Sequence, residues 1–327
     1  MEKKERVRAA LAGGPVDRVP TSFWSHDYLR EWSPSGLAAA MIEPFQRFDW
    51  DYMKVNPRAT YYSEAWGCRY EPSNDPRRGP ELKERVLDSA ADLGRITRIS
   101  GADGVFAEQL EALRLIAGGI GGAHFIQTVF SPLSVVGYLA GRDLAAVRGW
   151  MAESPAALHH ALAAISETLA EYGQECLRVG ASGIFFATTD WGTTRNLTPE
   201  RYSEFGRPYD LQVLSGVAAA EFNVLHVCRE ENMLLDLLDY PVQAFSWAAR
   251  DPGNPSLAAV LAKTGKAVMG GVSQSALNRD DAHAVEAEVR SAIDETEGRR
   301  LFLAPGCSIS PQTPAAALEA AARARNP

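Results

Sequence analysis

Two periods of hydrophobic spacing alternate along this chain. Short, nearly continuous apolar runs recur at residues 18–24, 51–56, 124–130, 183–188, 222–227, 242–247, 267–272 and 301–304. Between them lie stretches with helical spacing, as in residues 35–48, where Leu37, Met41, Ile42 and Phe45 share one face. Residues 2–11, 90–99, 106–116, 155–179, 199–220, 232–238, 256–263, 280–296 and 314–325 also read as helices. The first pattern predicts buried strands and the second amphipathic helices. Eight strands alternating with helices predict an α/β fold, a parallel (β/α)8 TIM barrel forming a single domain over residues 1–327. Aromatic runs at residues 60–62 and 66–70 predict a β-hairpin inserted after the second strand.

That architecture decides where chemistry can lie, because barrel active sites sit at the C-terminal ends of the strands. The fifth strand ends in His226-Val227-Cys228. Strand side chains alternate faces, so residues two apart point the same way. An imidazole and a thiol can therefore aim at one point. The eighth strand ends in Pro305-Gly306-Cys307, whose glycine marks a sharp turn that would expose the thiol. Two thiolates and an imidazole suit zinc and leave a fourth position open. Two buried free cysteines and a core histidine would give the same spacing. A sulfur-rich set favours alkylation of a thiol over hydrolysis, which more often uses histidine and carboxylate ligands.

Other strand ends offer further candidates. Asp190 follows the fourth strand and is a candidate general acid or base, a partner for His226, or the cap of a local turn. His26, past the first strand, is a candidate for substrate contact or a solvated loop residue. Arg58, Arg229 and Arg250 could hold carboxylates or phosphate, or form surface ion pairs. Tyr61, with Tyr62, Trp66 and Tyr70, could cover a flat ligand or pack across a hairpin. Trp191, Tyr61, Arg58 and Arg250 are the candidates for holding a cofactor. Cys176 reads as a packing residue, and Gly118-Gly119 and Gly270-Gly271 lack the context of a dinucleotide fingerprint.

Composition narrows the field. A net charge of −8 excludes a general nucleic-acid binder. No run reaches the roughly 20 apolar residues of a membrane span. The charged N-terminus is not a signal segment, so a cytoplasmic location is the default expectation. Four cysteines in 327 residues do not make a disulfide framework.

These residues resemble the uroporphyrinogen decarboxylase superfamily over nearly the full length. The resemblance runs through residues 5–11 and 17–20, Gly180-Ala181-Ser182-Gly183-Ile184, Leu197-Thr198-Pro199-Glu200-Arg201-Tyr202, Leu225-His226-Val227-Cys228 and Leu303-Ala304-Pro305-Gly306-Cys307. It implies a (β/α)8 barrel with its cleft at the strand C-termini. Decarboxylases of that superfamily carry an Arg-Gln-Ala-Gly-Arg-Tyr-like motif after the first strand and a Gly-His-Gly-like turn after the last. Here those places hold Trp24-Ser25-His26-Asp27-Tyr28 and Gly306-Cys307-Ser308. The chain is more similar to the methylcobalamin:thiol methyltransferase branch, whose His-x-Cys…Cys motif falls on His226, Cys228 and Cys307. That similarity implies zinc, a small-molecule thiol and methyl transfer from a corrinoid such as methylcobalamin. It also implies a separate corrinoid protein as partner, since no cobalamin-binding domain is appended. The alternatives are a cofactor-independent decarboxylase acting on a porphyrinogen or another polycarboxylate, with Arg58, Arg229 and Arg250 as anion anchors, and a non-catalytic corrinoid or tetrapyrrole carrier.

Overall fold

The computed structural model describes residues 1–279 and 281–326. Its strands are β1 (Tyr52–Val55), β2 (Arg69–Glu71), β3 (Glu81–Glu84), β4 (His124–Phe130), β5 (Gly183–Ala187), β6 (Val224–His226), β7 (Ala244–Ser246), β8 (Ala267–Val272) and β9 (Leu301–Pro305). The helices are α1 (Lys3–Ala12), α2 (Pro34–Arg47), α3 (Tyr61–Glu64), α4 (Gly104–Gly119), α5 (Pro132–Leu139), α6 (Leu144–Glu153), α7 (Pro155–Arg178), α8 (Pro199–Phe205), α9 (Arg207–Gly216), α10 (Leu257–Leu261), α11 (Gln274–Asn278), α12 (Ala282–Thr296) and α13 (Ala315–Ala324). Seven strands form one parallel sheet in the order β1-β4-β5-β6-β7-β8-β9. Every residue of these seven is buried, as expected where helices cover one face and the curled sheet's own side chains fill the other.

The expected first strand is the main departure. Residues 20–25 form no regular strand among the described residues, yet they join the two edges of the sheet. Leu303 N–H donates to the Pro20 carbonyl (2.9 Å), Ser22 N–H to the Leu303 carbonyl (3.1 Å), and Asp51 N–H to the Thr21 carbonyl (2.9 Å). The sheet is thus TIM-barrel-like, with seven strands and one irregular stave where eight strands were expected. Pro20 supplies a reason, since it has no N–H to give to a ladder.

The hairpin lies elsewhere than expected. Tyr61–Glu64 is a helix, and the antiparallel ribbon pairs β2 with β3 across a polar loop. The helix expected over residues 199–220 breaks at Gly206, because Pro208 follows in the first turn of α9 and cannot donate to a preceding turn. Residues 90–95 and 234–237 are 3₁₀ turns, not α-helices. The expected start at residue 280 lies outside the described residues; the helix there spans Ala282–Thr296. Helix starts follow side-chain caps, with Ser131 capping α5, Thr198 capping α8 and Ser273 capping α11. No described helix is long and apolar enough to cross a membrane.

One buried carboxylate fastens the irregular stave. Asp51 is fully buried, and its oxygens meet Arg6 Nη1 (2.7 Å), Arg18 Nη2 (2.8 Å) and Arg325 Nη1 (3.5 Å). It also accepts the Thr21 N–H (3.0 Å). The N-terminal helix, the stave and the C-terminal end are thereby tied to the start of β1. Removing one member of such a cluster leaves the others buried and uncompensated. Asp51→Ala is expected to lower unfolding free energy by roughly 3–5 kcal/mol, read as a shift in the urea midpoint. An unchanged midpoint would show that the backbone bonds alone hold the stave.

Candidate metal centre

The sheet register builds the site. Across β5, β6 and β7, Ala187, His226 and Ser246 stand side by side. His226 is 2% exposed and lies flat against Phe185, with ring centroids 4.8 Å apart. Its Nδ1 is 3.1 Å from Ser246 Oγ, while its buried Nε2 has no hydrogen-bond partner. Cys228 lies two residues beyond, where Arg229 turns the backbone with φ of 76°. Cys307 follows β9, and the N–H of Gly306 donates to the Val272 carbonyl (3.2 Å).

The backbone bends at residues 306 and 307 as expected, and Gly306 also permits a close approach there: a Cβ would lie 2.7 Å from Ala248 Cα. The ligand atoms of His226, Cys228 and Cys307 all lie within 4.8 Å of one another. The structure therefore brings together the three residues singled out for zinc.

Electrostatics within the trio are uneven. Cys307 is held well below the ordinary thiol range, first by a hydrogen bond from Cys228 and then, against burial, by His226 and Lys54. Cys228 is pushed well up by the same bond and by burial. Cys228 thus keeps its proton and donates it to the Cys307 sulfur. Cys68 and Cys176 are both pushed up by burial, Cys176 beyond the accessible range, as suits packing residues.

The trio lines a cavity of about 510 Å³ at the C-terminal end of the sheet. Asp190 and His26 also line it. Asp190 does not reach His226; Arg142 (2.8 Å) and Arg229 (2.5 Å) occupy its two oxygens. Against burial, those guanidinium groups hold its carboxyl below the usual range. The ring partner of His226 is Ser246 instead. His26 Nδ1 meets Glu31 (2.9 Å), and its ring stacks on Tyr28.

The four residues expected to hold a cofactor lie off the cavity wall. Arg58 is buried between Glu64 (2.9 Å) and Glu108 (2.5 Å). Arg250 reaches the Gly271 carbonyl and Glu295. Tyr61 is fully buried and donates to the Thr128 carbonyl (3.1 Å), while its stacked neighbour Tyr62 reaches the cavity. Trp191 packs with its Nε1 against Gly137, where a Cβ would lie 3.1 Å away.

Residues 2–326 match the profile of the family described as uroporphyrinogen decarboxylase (URO-D). The chain belongs to the URO-D family. Both of its expected branches appear among the relatives of this URO-D-family chain. A uroporphyrinogen decarboxylase of Thioalkalivibrio sulfidiphilus is 25% identical over 237 residues, covering 66% of each protein. The methylcobamide:CoM methyltransferase MtaA of Methanosarcina barkeri is 24% identical over 347 aligned positions, covering 99% of this chain and 97% of that one. Among solved structures, a methyltransferase from Methanosarcina mazei superposes with a TM-score of 0.84 at 21% identity, covering 99% and 98%. A B12-independent methionine synthase from a Shewanella species gives 0.63 at 13% identity, covering 94% and 97%. These superpositions establish the shared fold.

Two residues of this URO-D-family site were not singled out from the sequence. Ser246 holds the His226 ring, and only the strand register reveals it. Lys54 is buried on the cavity wall, where it donates to Asn56 Oδ1 and sits 4.9 Å above the Phe185 ring. Burial pushes its ammonium down to about 7, against the pull of Cys307 and Cys228. Its signal was legible: a lysine amid the apolar Tyr52-Met53-Lys54-Val55, two residues before Asn56 and so on the same face.

The uneven thiol pair has a measurable consequence. A depressed pKa means that Cys307 is thiolate at pH values where ordinary thiols are protonated. In chelator-treated protein at pH 7, iodoacetamide is expected to alkylate Cys307 ahead of Cys68 and Cys176. Cys228→Ala should move the Cys307 reactivity midpoint upward, because the hydrogen bond it removes is the largest cause of the depression. Peptide mass spectrometry reads both, and equal rates at all cysteines would contradict the assignment.

Proposed function

We propose that the protein is a zinc-dependent methyltransferase that moves a methyl group between a corrinoid and a thiol. The observation that carries this reading is the convergence of His226, Cys228 and Cys307 within 4.8 Å. The donors fit zinc in kind: one imidazole with a free buried nitrogen and two sulfurs, without a carboxylate in the cluster. MtaA, similar along nearly its whole length, is named as a methylcobamide:CoM methyltransferase.

His226 would hold the metal through Nε2, and Cys228 and Cys307 through their sulfurs. Zinc in such a site keeps an incoming thiol ionised at neutral pH. With a metal on Nε2, the His226 Nδ1–H would donate to Ser246 Oγ, which would fix the tautomer and the ring orientation. His26, braced by Glu31, stands on the wall to accept the proton a thiol releases. Asp190 fixes Arg142 and Arg229 at the mouth, where they can orient an acceptor. The methyl donor is methylcobalamin, carried on a separate corrinoid protein.

The decarboxylase alternative loses two of its three proposed anchors, because Arg58 and Arg250 lie away from the cavity and Arg229 lines it. Protein purified without a His tag is expected to contain one zinc per chain and to methylate a thiol from methylcobalamin. Cys228→Ala and Cys307→Ala should lose both metal and turnover. Ser246→Ala should bind zinc about 10–100-fold more weakly. Zinc-free native protein that releases CO₂ from uroporphyrinogen would replace this reading with the decarboxylase.

A further inference from the structure

A second cavity, of about 770 Å³, adjoins the first and shares Trp24, His26 and Lys54 with it. Its origin is the irregular stave. Beyond the bond between Asp51 and Thr21, no backbone hydrogen bond joins residues 22–25 to β1 among the described residues. The same segment stays bonded to the other side, where Ile309 N–H donates to the Trp24 carbonyl (3.0 Å). The barrel wall is therefore open along one seam, where Trp24 and Lys54 line both cavities and Lys54 Nζ lies 5.4 Å from the centre of the Trp24 ring. Outside the seam lies α2, where Pro44 has no N–H to give to the Ala40 carbonyl.

The chemistry of this chamber differs from that of the metal centre. Phe23, Met41, Phe45 and Trp50 make its body apolar and aromatic. Three guanidinium groups line it, Arg30, Arg47 and Arg77, with the Lys54 amine at its inner wall, against a single carboxylate, Asp27. Asp27 pairs with Arg30 at 2.7 Å. Arg47 and Arg77 are largely exposed, and their partners, Glu319 at 3.7 Å and Asp75 at 3.2 Å, are not on the wall. An apolar body with an excess of positive charge along its wall matches a ligand of the opposite pattern.

We propose that this side chamber binds an amphipathic organic anion, an aliphatic or aromatic chain carrying one carboxylate. The apolar part lies against Phe45 and Trp50, and the carboxylate reaches Arg47 and Arg77. The inner end of the chain abuts Trp24 and Lys54, the wall shared with the metal centre. Binding requires no metal, so it stands or falls separately from the methyltransferase reading.

The probes are decanoate and decanol, titrated calorimetrically into zinc-loaded and chelator-treated protein. Decanoate is expected to bind at one site per chain in both, with decanol roughly tenfold weaker. The double variant Arg47→Glu/Arg77→Glu should weaken decanoate by roughly tenfold and leave decanol unchanged, since two exposed charges are reversed and no apolar surface is lost. Ala40→Phe, which narrows the chamber, should weaken both probes; its urea midpoint reports whether it folds, and the double variant carries the test if it does not. Absence of saturable binding, equal affinity for the two probes, or decanoate affinity unmoved by the double variant each overturns the proposal.

Discussion

A single carboxylate, that of Asp51, ties the irregular stave of this protein to the edge of its curled sheet. It is buried without exposure and surrounded by three guanidinium groups and one backbone N–H. A bare carboxylate at that depth would cost several kcal/mol, so the arginines and the anion hold one another in place. What they hold is the stave that stands in for a strand. Lys54 begins three residues after Asp51, and Cys307 follows the strand that receives the stave on its other side. The candidate metal centre thus inherits its geometry from an ion cluster at the opposite end of the strands.

Much of that centre could be read from residue spacing because it rests on strand geometry. A period of two makes the relation of His226 to Cys228 independent of any loop. The meeting with Cys307 needed only the rule that all strand ends of a parallel barrel share one mouth. Arg58, Arg250, Tyr61 and Trp191 sit near that mouth in the chain but turn away from it. Spacing fixes where a backbone goes and leaves open where a long or aromatic side chain points. Arg58 prefers Glu64 and Glu108, and nothing in its immediate neighbours announces Glu108, fifty residues on.

The fold shows the same division. Residues 124–130 and 267–272 form strands with the expected bounds, because continuous apolar runs buried in a parallel sheet are distinctive. The aromatic run at residues 60–62 has the composition of a strand and is helical because Tyr61 and Tyr62 pack into the layer under Phe130 and Tyr172. Tertiary packing overrode local preference there. Residues 20–25 pair through scattered bonds to both neighbours, an arrangement with no period to detect.

The closing bonds also set an order of assembly. Arg300 reaches back to the carbonyl of Leu11 across 289 positions, and Arg325 reaches Asp51 across 274. A chain made from its N-terminus therefore carries its first stave bonded on the Asp51 side alone until the residues around Leu303 have emerged. Contacts of such separation form late, since the loop they close must be ordered first. The edge between the stave and β9 is thus the last part of the wall to be built, whereas the seam that opens the side chamber lies between two segments that emerge early.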